Sequence, residues 1–171
     1  LFTALLPPEG VVASLDDFLV PRREAEPRLR WTRPDSWHLT TAFLPDVGDR
    51  HHDRLVEALD AVAARTGSFT VQFAGGIAFP WPVETKVLAL GVSEGLDALG
   101  ALARRCRNAA TCAGVGVDGA RFVPHLTLAR ANRGIDSTRL LRVLDTVRCA
   151  AWEAGELVLV ASHLHDRGSR Y

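Results

Sequence analysis

The tripeptide His-Leu-Thr occurs at 38–40 and again at 125–127, 87 residues further on (125 − 38 = 87), and the elements around the two copies repeat in one order. Internal repetition of this kind constrains a fold more than any single motif, because each unit must pack in the same way. In the first half "LFTALLPP" is a short apolar run closed by prolines, which predicts a buried strand. Val11, Val12, Leu15, Phe18 and Leu19 then recur at helical spacing, with Pro21 as the expected stop. An Arg- and Pro-rich connection, 21–34, leads to "WHLTTAFL", rich in β-branched and aromatic residues as a strand should be. Leu55, Val56, Leu59, Val62 and Ala63 form a second helical stripe, with Asp46 or Asp49 as cap and Gly67 as terminator. "FTVQFAG" at 69–75 alternates as a strand.

Gly75, Gly76, Pro80 and Pro82 mark a turn-rich connection, and the second half follows with "KVLALGV" as a strand. Leu96, Leu99, Leu102, Ala103 and Cys106 make a helix that Gly114 could end. "RFVPHLTLAR" is a strand; Leu140, Leu141, Leu144 and Val147 make a helix after Asp136 or Ser137; "ELVLVASHL" is the last strand. Both halves thus run strand, helix, His-strand, helix, strand. The expected architecture is α+β: two lobes related by a pseudo-two-fold axis, each an antiparallel-type sheet with helices outside, facing across a central cleft. The halves divide near 84/85 within one bilobal unit, 1–171, and exchange of strands between lobes stays open. A chain of 171 residues that is 47% apolar can fill such a core.

Side chains alternate along a strand, so His38 shares a face with Thr40, and His125 with Thr127, while Leu39 and Leu126 point behind. If both faces line the cleft, two imidazoles and two hydroxyls converge. Histidine, with an ordinary pKa of about 6.5, is the residue of which one copy can accept a proton while another donates one near neutrality. Hydrolysis of a cyclic phosphodiester needs that pair, with hydroxyls and an arginine to hold the non-bridging oxygens. Such chemistry calls for no metal and no cofactor.

The paired HxT strands, "RWTRPDSWHLTTAFL", "FVPHLTLAR", the opening "LFTALLPP" and the closing "ELVLVASHLHDRGSRY" resemble the RNA 2′,3′-cyclic phosphodiesterases of the LigT type, in the 2H phosphoesterase superfamily, first described as 2′-5′ RNA ligases. The resemblance covers nearly the whole chain. It implies hydrolysis of a terminal 2′,3′-cyclic phosphate on RNA to a 2′-phosphate, with 2′-5′ ligation in some members. Carried over by motif position, His38 is the general acid, His125 the base that activates water, Thr40 and Thr127 phosphate contacts, and Arg130 a further cationic contact. Two departures stand out. Thr41 takes the place of an aliphatic residue and should point away from the cleft. Strict alternation puts Arg130 on the face opposite His125, so its role requires the strand to end or bulge near Ala129.

Other features are weaker. His51 and His52 open a helix on its solvated side. His163 and His165 form an HxH pair without a third ligand nearby, which suggests solvent exposure or a peripheral RNA contact before a metal site. "GVGVDG" at 114–119 matches the dinucleotide fingerprint but follows a helix and leads into a strand, so it is a turn. Trp37 and Phe43 fall on the back of the His-strand, while Trp31 and Trp81, in loops, are open as base platforms. Arg22, Arg23, Arg28, Arg30 and Arg33 either guide an RNA backbone or form a plain solvated loop.

Lys+Arg and Asp+Glu balance at 20 each, so no global field recruits nucleic acid, and an anionic ligand must be held locally. The three cysteines form no CxxC, which points to the reducing cytoplasm. No apolar run reaches membrane length. The chain opens on Leu1, so a residue or more should precede it. The expected partner is RNA ending in a 2′,3′-cyclic phosphate, with no membrane, no obligate protein partner and a monomeric state. Two readings stand beside this one: a non-catalytic module that binds RNA or nucleotide 3′ ends, and a phosphodiesterase for a small cyclic phosphate such as ADP-ribose 1″,2″-cyclic phosphate.

Overall fold

The apolar runs become strands of one sheet in the computed structural model, which describes residues 1–161 and the backbone of 163–165 and 168–170. Among these residues the strands are β1 (Phe2–Leu5), β2 (Arg30–Trp31), β3 (Leu39–Phe43), β4 (Phe69–Trp81), β5 (Glu84–Glu94), β6 (Leu126–Ile135), β7 (Trp152–Ala154), β8 (Val158–Val160), β9 (His163–His165) and β10 (Gly168–Arg170). The helices are α1 (Glu9–Ala25), α2 (Asp49–Ala64), α3 (Leu96–Cys112) and α4 (Thr138–Leu144), with a 3-10 turn at Pro34–Ser36. The sheet runs β7-β4-β5-β6-β3-β1-β8, β2 pairs with β6 beside that path, and β9 and β10 form a separate ribbon.

Read from its centre, three strands correspond on either side, and β7 lies beyond them on one edge. β5 flanks β6 as β1 flanks β3, and β4 lies outside β5 as β8 lies outside β1. The duplicated pattern is therefore a duplicated half-sheet. β4, from the first half of the chain, lies with β5 and β6, and β8 returns to β1, so each half-sheet takes its outer strand from the other half of the sequence.

Helices cover one face, here called the back. Cys106 of α3 meets the buried hydroxyl of Thr41 (3.9 Å), which is hydrogen-bonded to that of Thr3 (2.7 Å). This bears out Thr41 as a packing residue. α4 sits on β4: a Cβ at Gly76 would lie 2.9 Å from Leu141 Cδ2, and Asp145 Oδ1 accepts the Gly76 N–H at 2.8 Å. Val11, Leu15 and Leu19 of α1, with Leu55 and Leu59 of α2, complete the apolar layer with Leu39, Leu88, Leu90, Leu126 and Leu128.

Three local expectations are corrected. α1 does not stop at Pro21 but runs to Ala25. The proline forfeits one backbone bond, to Asp17, on an exposed side, and Arg22 closes the turn by donating to Phe18 O (2.9 Å) over the Phe18 ring. The stretch from Gly75 to Trp81 is strand, because Gly75 (φ +79°) absorbs a bulge and Gly76 admits α4, where side chains would have stopped both. Gly48, neither Asp46 nor Asp49, caps α2.

Candidate active site

β3 meets β6 at Leu39 opposite Leu126, and both leucines are fully buried against the back. Residues that pair across an antiparallel ladder share a face and their neighbours take the other. His38, Thr40, His125 and Thr127 accordingly flank this pair on the front of the sheet, two on each line. The structure thus brings together the four residues that the two motifs single out.

The two imidazoles are held alike. His38 Nδ1–H donates to Ser36 O and His125 Nδ1–H to Val123 O, each at 2.7 Å and each two residues back. A carbonyl can only accept, so in the neutral ring Nδ1 carries the hydrogen and Nε2 the lone pair. An aromatic ring backs each one: Phe2 stacks on His38 at 4.6 Å, and Phe79 tilts against His125 at 5.1 Å. Burial lowers the pKa of His38 below the ordinary value; the Ser36 carbonyl opposes this, and the charges of His125 and Arg130 add to it. Those charges act on His38 because the three residues occupy one region of the front face.

Two bulges place the next residue on each strand. Ala4 pairs with Thr40 but Thr3 with Ala42, and likewise Ala89 pairs with Thr127 but Leu88 with Ala129. Thr41 and Leu128 are the extra residues, at equivalent places in the repeat. Beyond each bulge the alternation inverts, so Arg130, opposite Val87, returns to the face of the histidines. This meets the condition its role required. Phe43 is the counterpart of Arg130 and also turns to the front, where it is 45% exposed, so its expected place on the back is corrected. The bulges show in the burial: within "TTAFL" and "TLARA" two adjacent residues are buried (Thr41 and Ala42; Leu128 and Ala129), which strict alternation does not allow.

The other candidates separate cleanly. Trp37 is buried, as expected. Trp31 is not in a loop: it pairs with Ala129 in β2, packs behind the sheet and donates through Nε1 to Glu26 O (3.2 Å). Trp81 is 66% exposed at the turn between β4 and β5. His51 ties α2 to the end of α3, its Nδ1–H donating to Ala113 O (3.1 Å) while its Nε2 accepts from Arg50 (2.9 Å). His52 is exposed beside Asp53. The 114–119 stretch is an irregular connection after α3. The side chains of His163 and His165 lie outside the described residues. Among the described residues no group of three or more His, Cys, Asp or Glu is placed to hold a metal ion, and no helix is long and apolar enough to cross a membrane.

Comparison with known proteins decides the family. The model of the 2′-5′ RNA ligase superfamily matches residues 21–166. The chain belongs to that superfamily. Among its relatives, an RNA 2′,3′-cyclic phosphodiesterase of Aquifex aeolicus is 28% identical over 83% of this chain and 77% of its own length. Another of the same name, from Aeropyrum pernix, is 26% identical over 84% of this chain and 82% of its own. The fold of the superfamily is shared with E. coli LigT in its apo form (TM-score 0.80, 22% identity, 99% of this chain and 91% of that one). It is shared too with E. coli LigT complexed with 3′-AMP (TM-score 0.71, 24% identity, 99% and 91%).

Proposed function

We propose that this member of the 2′-5′ RNA ligase superfamily hydrolyses 2′,3′-cyclic phosphate ends of RNA to 2′-phosphates, with His38 and His125 as its proton-transfer pair. The observation that carries the reading is the matched pair of imidazoles, each fixed through Nδ1–H to a carbonyl, beside Thr40 and Thr127 on one face. A module that only binds RNA ends would need hydroxyls and arginine, and would have no use for two nitrogens held ready for proton transfer. The names of the Aquifex and Aeropyrum relatives support the same substrate.

In the proposed reaction His125 Nε2 takes a proton from water as its oxygen bonds to phosphorus, and the bond from phosphorus to the ribose 3′ oxygen breaks. His38 Nε2–H gives its proton to that leaving oxygen, so both protons are accounted for. Thr40, Thr127 and Arg130 stabilise the charge on the non-bridging oxygens. His38 holds a proton poorly in the free protein, since burial, His125 and Arg130 all lower its pKa. A bound phosphate anion brings the opposite charge to the same place and restores the acid. The two imidazoles suffice for the proton transfers without a metal ion, and one chain supplies the whole constellation, which fits a monomer. Buried free thiols at Cys106 and Cys149 suit a reducing cytoplasm.

The test is product identity. A short RNA ending in 2′,3′-cyclic phosphate, incubated with the protein in H₂¹⁸O, should yield a 2′-phosphate carrying one ¹⁸O. A 3′-phosphate, or an unreacted end, would refute the assignment. An ADP-ribose 1″,2″-cyclic phosphate substrate, run in parallel, separates the small-molecule reading.

A further inference from the structure

The bulge that brings Arg130 to the front also sets it in register with a second arginine. Arg30 of β2 pairs directly with Arg130, so by the rule of shared faces it too projects from the front, one strand away at about 5 Å between Cα atoms. Like charges directly opposite one another in a ladder are destabilising. Both side chains are exposed, and among the described residues neither has a carboxylate within ion-pairing distance.

The other arginines of the 21–34 connection differ. Arg22 is engaged by Phe18, Arg23 pairs with Asp16 (2.5 Å), Arg28 with Glu26 (2.9 Å), and Arg33 with Asp35. Most of the basic run is therefore solvated or neutralised surface, and among the described residues Arg30 is the member beside the candidate site that no carboxylate pairs with. The pseudo-two-fold axis supplies a control. At the place equivalent to Arg130 stands Phe43, whose carbonyl accepts the N–H of Asp118 (3.2 Å). One end of the front face thus presents two guanidiniums, while its counterpart presents an aromatic ring next to an acidic residue. The repeat does not impose this polarity, which belongs to the residues themselves.

We infer that Arg30, set beside Arg130 on the reacting phosphate, forms an anion subsite for the phosphodiester on the 5′ side of the reacting nucleotide, so that the site is built for an oligoribonucleotide end and discriminates against a free cyclic mononucleotide. The inference rests on the proposed function for the position of the reacting phosphate, between the histidines and the Arg130 end of β6. Arginine suits this task because its fork donates two parallel hydrogen bonds to one phosphate and keeps its charge at any working pH.

The experiment compares kcat/KM for cytidine 2′,3′-cyclic phosphate with that for the dinucleotide ApC ending in 2′,3′-cyclic phosphate, in wild type, Arg30→Gln and Arg30→Lys. The dinucleotide-to-mononucleotide ratio should fall about tenfold in Arg30→Gln, the size of one lost charge-assisted contact, and should be partly restored in Arg30→Lys. The dependence of the dinucleotide KM on salt should flatten by about 0.7 in logarithmic slope, one phosphate contact on a single strand. An unchanged ratio, including one in which both substrates weaken together, would overturn the inference. Direct binding of ApC ending in a 2′-phosphate, by anisotropy or calorimetry, separates this from failure of the proposed function. If wild type turns over neither substrate but Arg30→Gln still weakens binding about tenfold, the subsite stands without the hydrolysis; equal binding by both proteins overturns it.

Discussion

Leu39 lies opposite Leu126 where β3 meets β6, and three strands of the sheet correspond outward from that pair in each direction. Two buried leucines therefore stand at the pseudo-axis, and the polar residues on either side of each meet on the opposite face. Packing behind and chemistry in front are fixed by one pairing.

Truncating either leucine should be costly. Leu39→Ala and Leu126→Ala should each lose about 2–5 kcal/mol in urea unfolding, and the double variant should lose less than the sum, because the two share a cavity. Strict additivity would mean that the strands do not depend on each other at this point.

The buried hydroxyls of Thr3 and Thr41 make a sharper test of the bulge. Thr41→Val leaves the Thr3 hydroxyl without its partner at 2.7 Å and should cost about 1–3 kcal/mol, whereas the Thr3→Val/Thr41→Val double variant should recover part of that loss. A neutral Thr41→Val would place that side chain elsewhere.

Phe43 and Trp37 carry opposite expectations. Trp37 is 3% exposed and Phe43 45%. Trp37→Ala should cost about 3–5 kcal/mol, while Phe43→Ala should cost less than about 1 kcal/mol, as thermal unfolding can show. Equal losses would put Phe43 behind the sheet and remove the bulge at Thr41 that turns it forward.

The His38 imidazole gives a prediction in pH. Burial, His125 and Arg130 lower its pKa in the folded protein. A histidine depressed on folding contributes stability that is present above its unfolded pKa, about 6.5, and lost as pH falls through the folded value. Stability should therefore decline as pH drops below about 6.5, and His38→Gln should flatten that decline. In NMR titrations His125→Gln and Arg130→Gln should each move the His38 midpoint upward. An unmoved midpoint would mean that the three groups do not share one field.

How much of this was legible in the chain depends on the kind of signal. The two half-sheets followed from the repeat, and the front-facing His38, Thr40, His125 and Thr127 from simple alternation, because two residues on each side of Leu39 and Leu126 are too few for irregularity to intervene. Phe43 and Arg130 lie one bulge further on, and alternation misassigns any residue past a bulge. Pro21 and Gly75 misled for a related reason: residues that usually break elements are tolerated where an exposed turn or a positive φ accommodates them. Arg30 was one of five arginines in a basic run until pairing with Arg130 distinguished it. Register is a long-range property, and composition does not carry it.

The central claim is that two histidines on one face act as a proton-transfer pair, and a single rate measurement tests it. Turnover of a short RNA ending in 2′,3′-cyclic phosphate would be followed in excess EDTA from about pH 5 to 9, for wild type, His38→Ala and His125→Ala. The account predicts a bell-shaped profile for wild type that survives the chelator, and a loss of about 10²–10⁴-fold in each variant. Retention of most of the rate by either variant would contradict it.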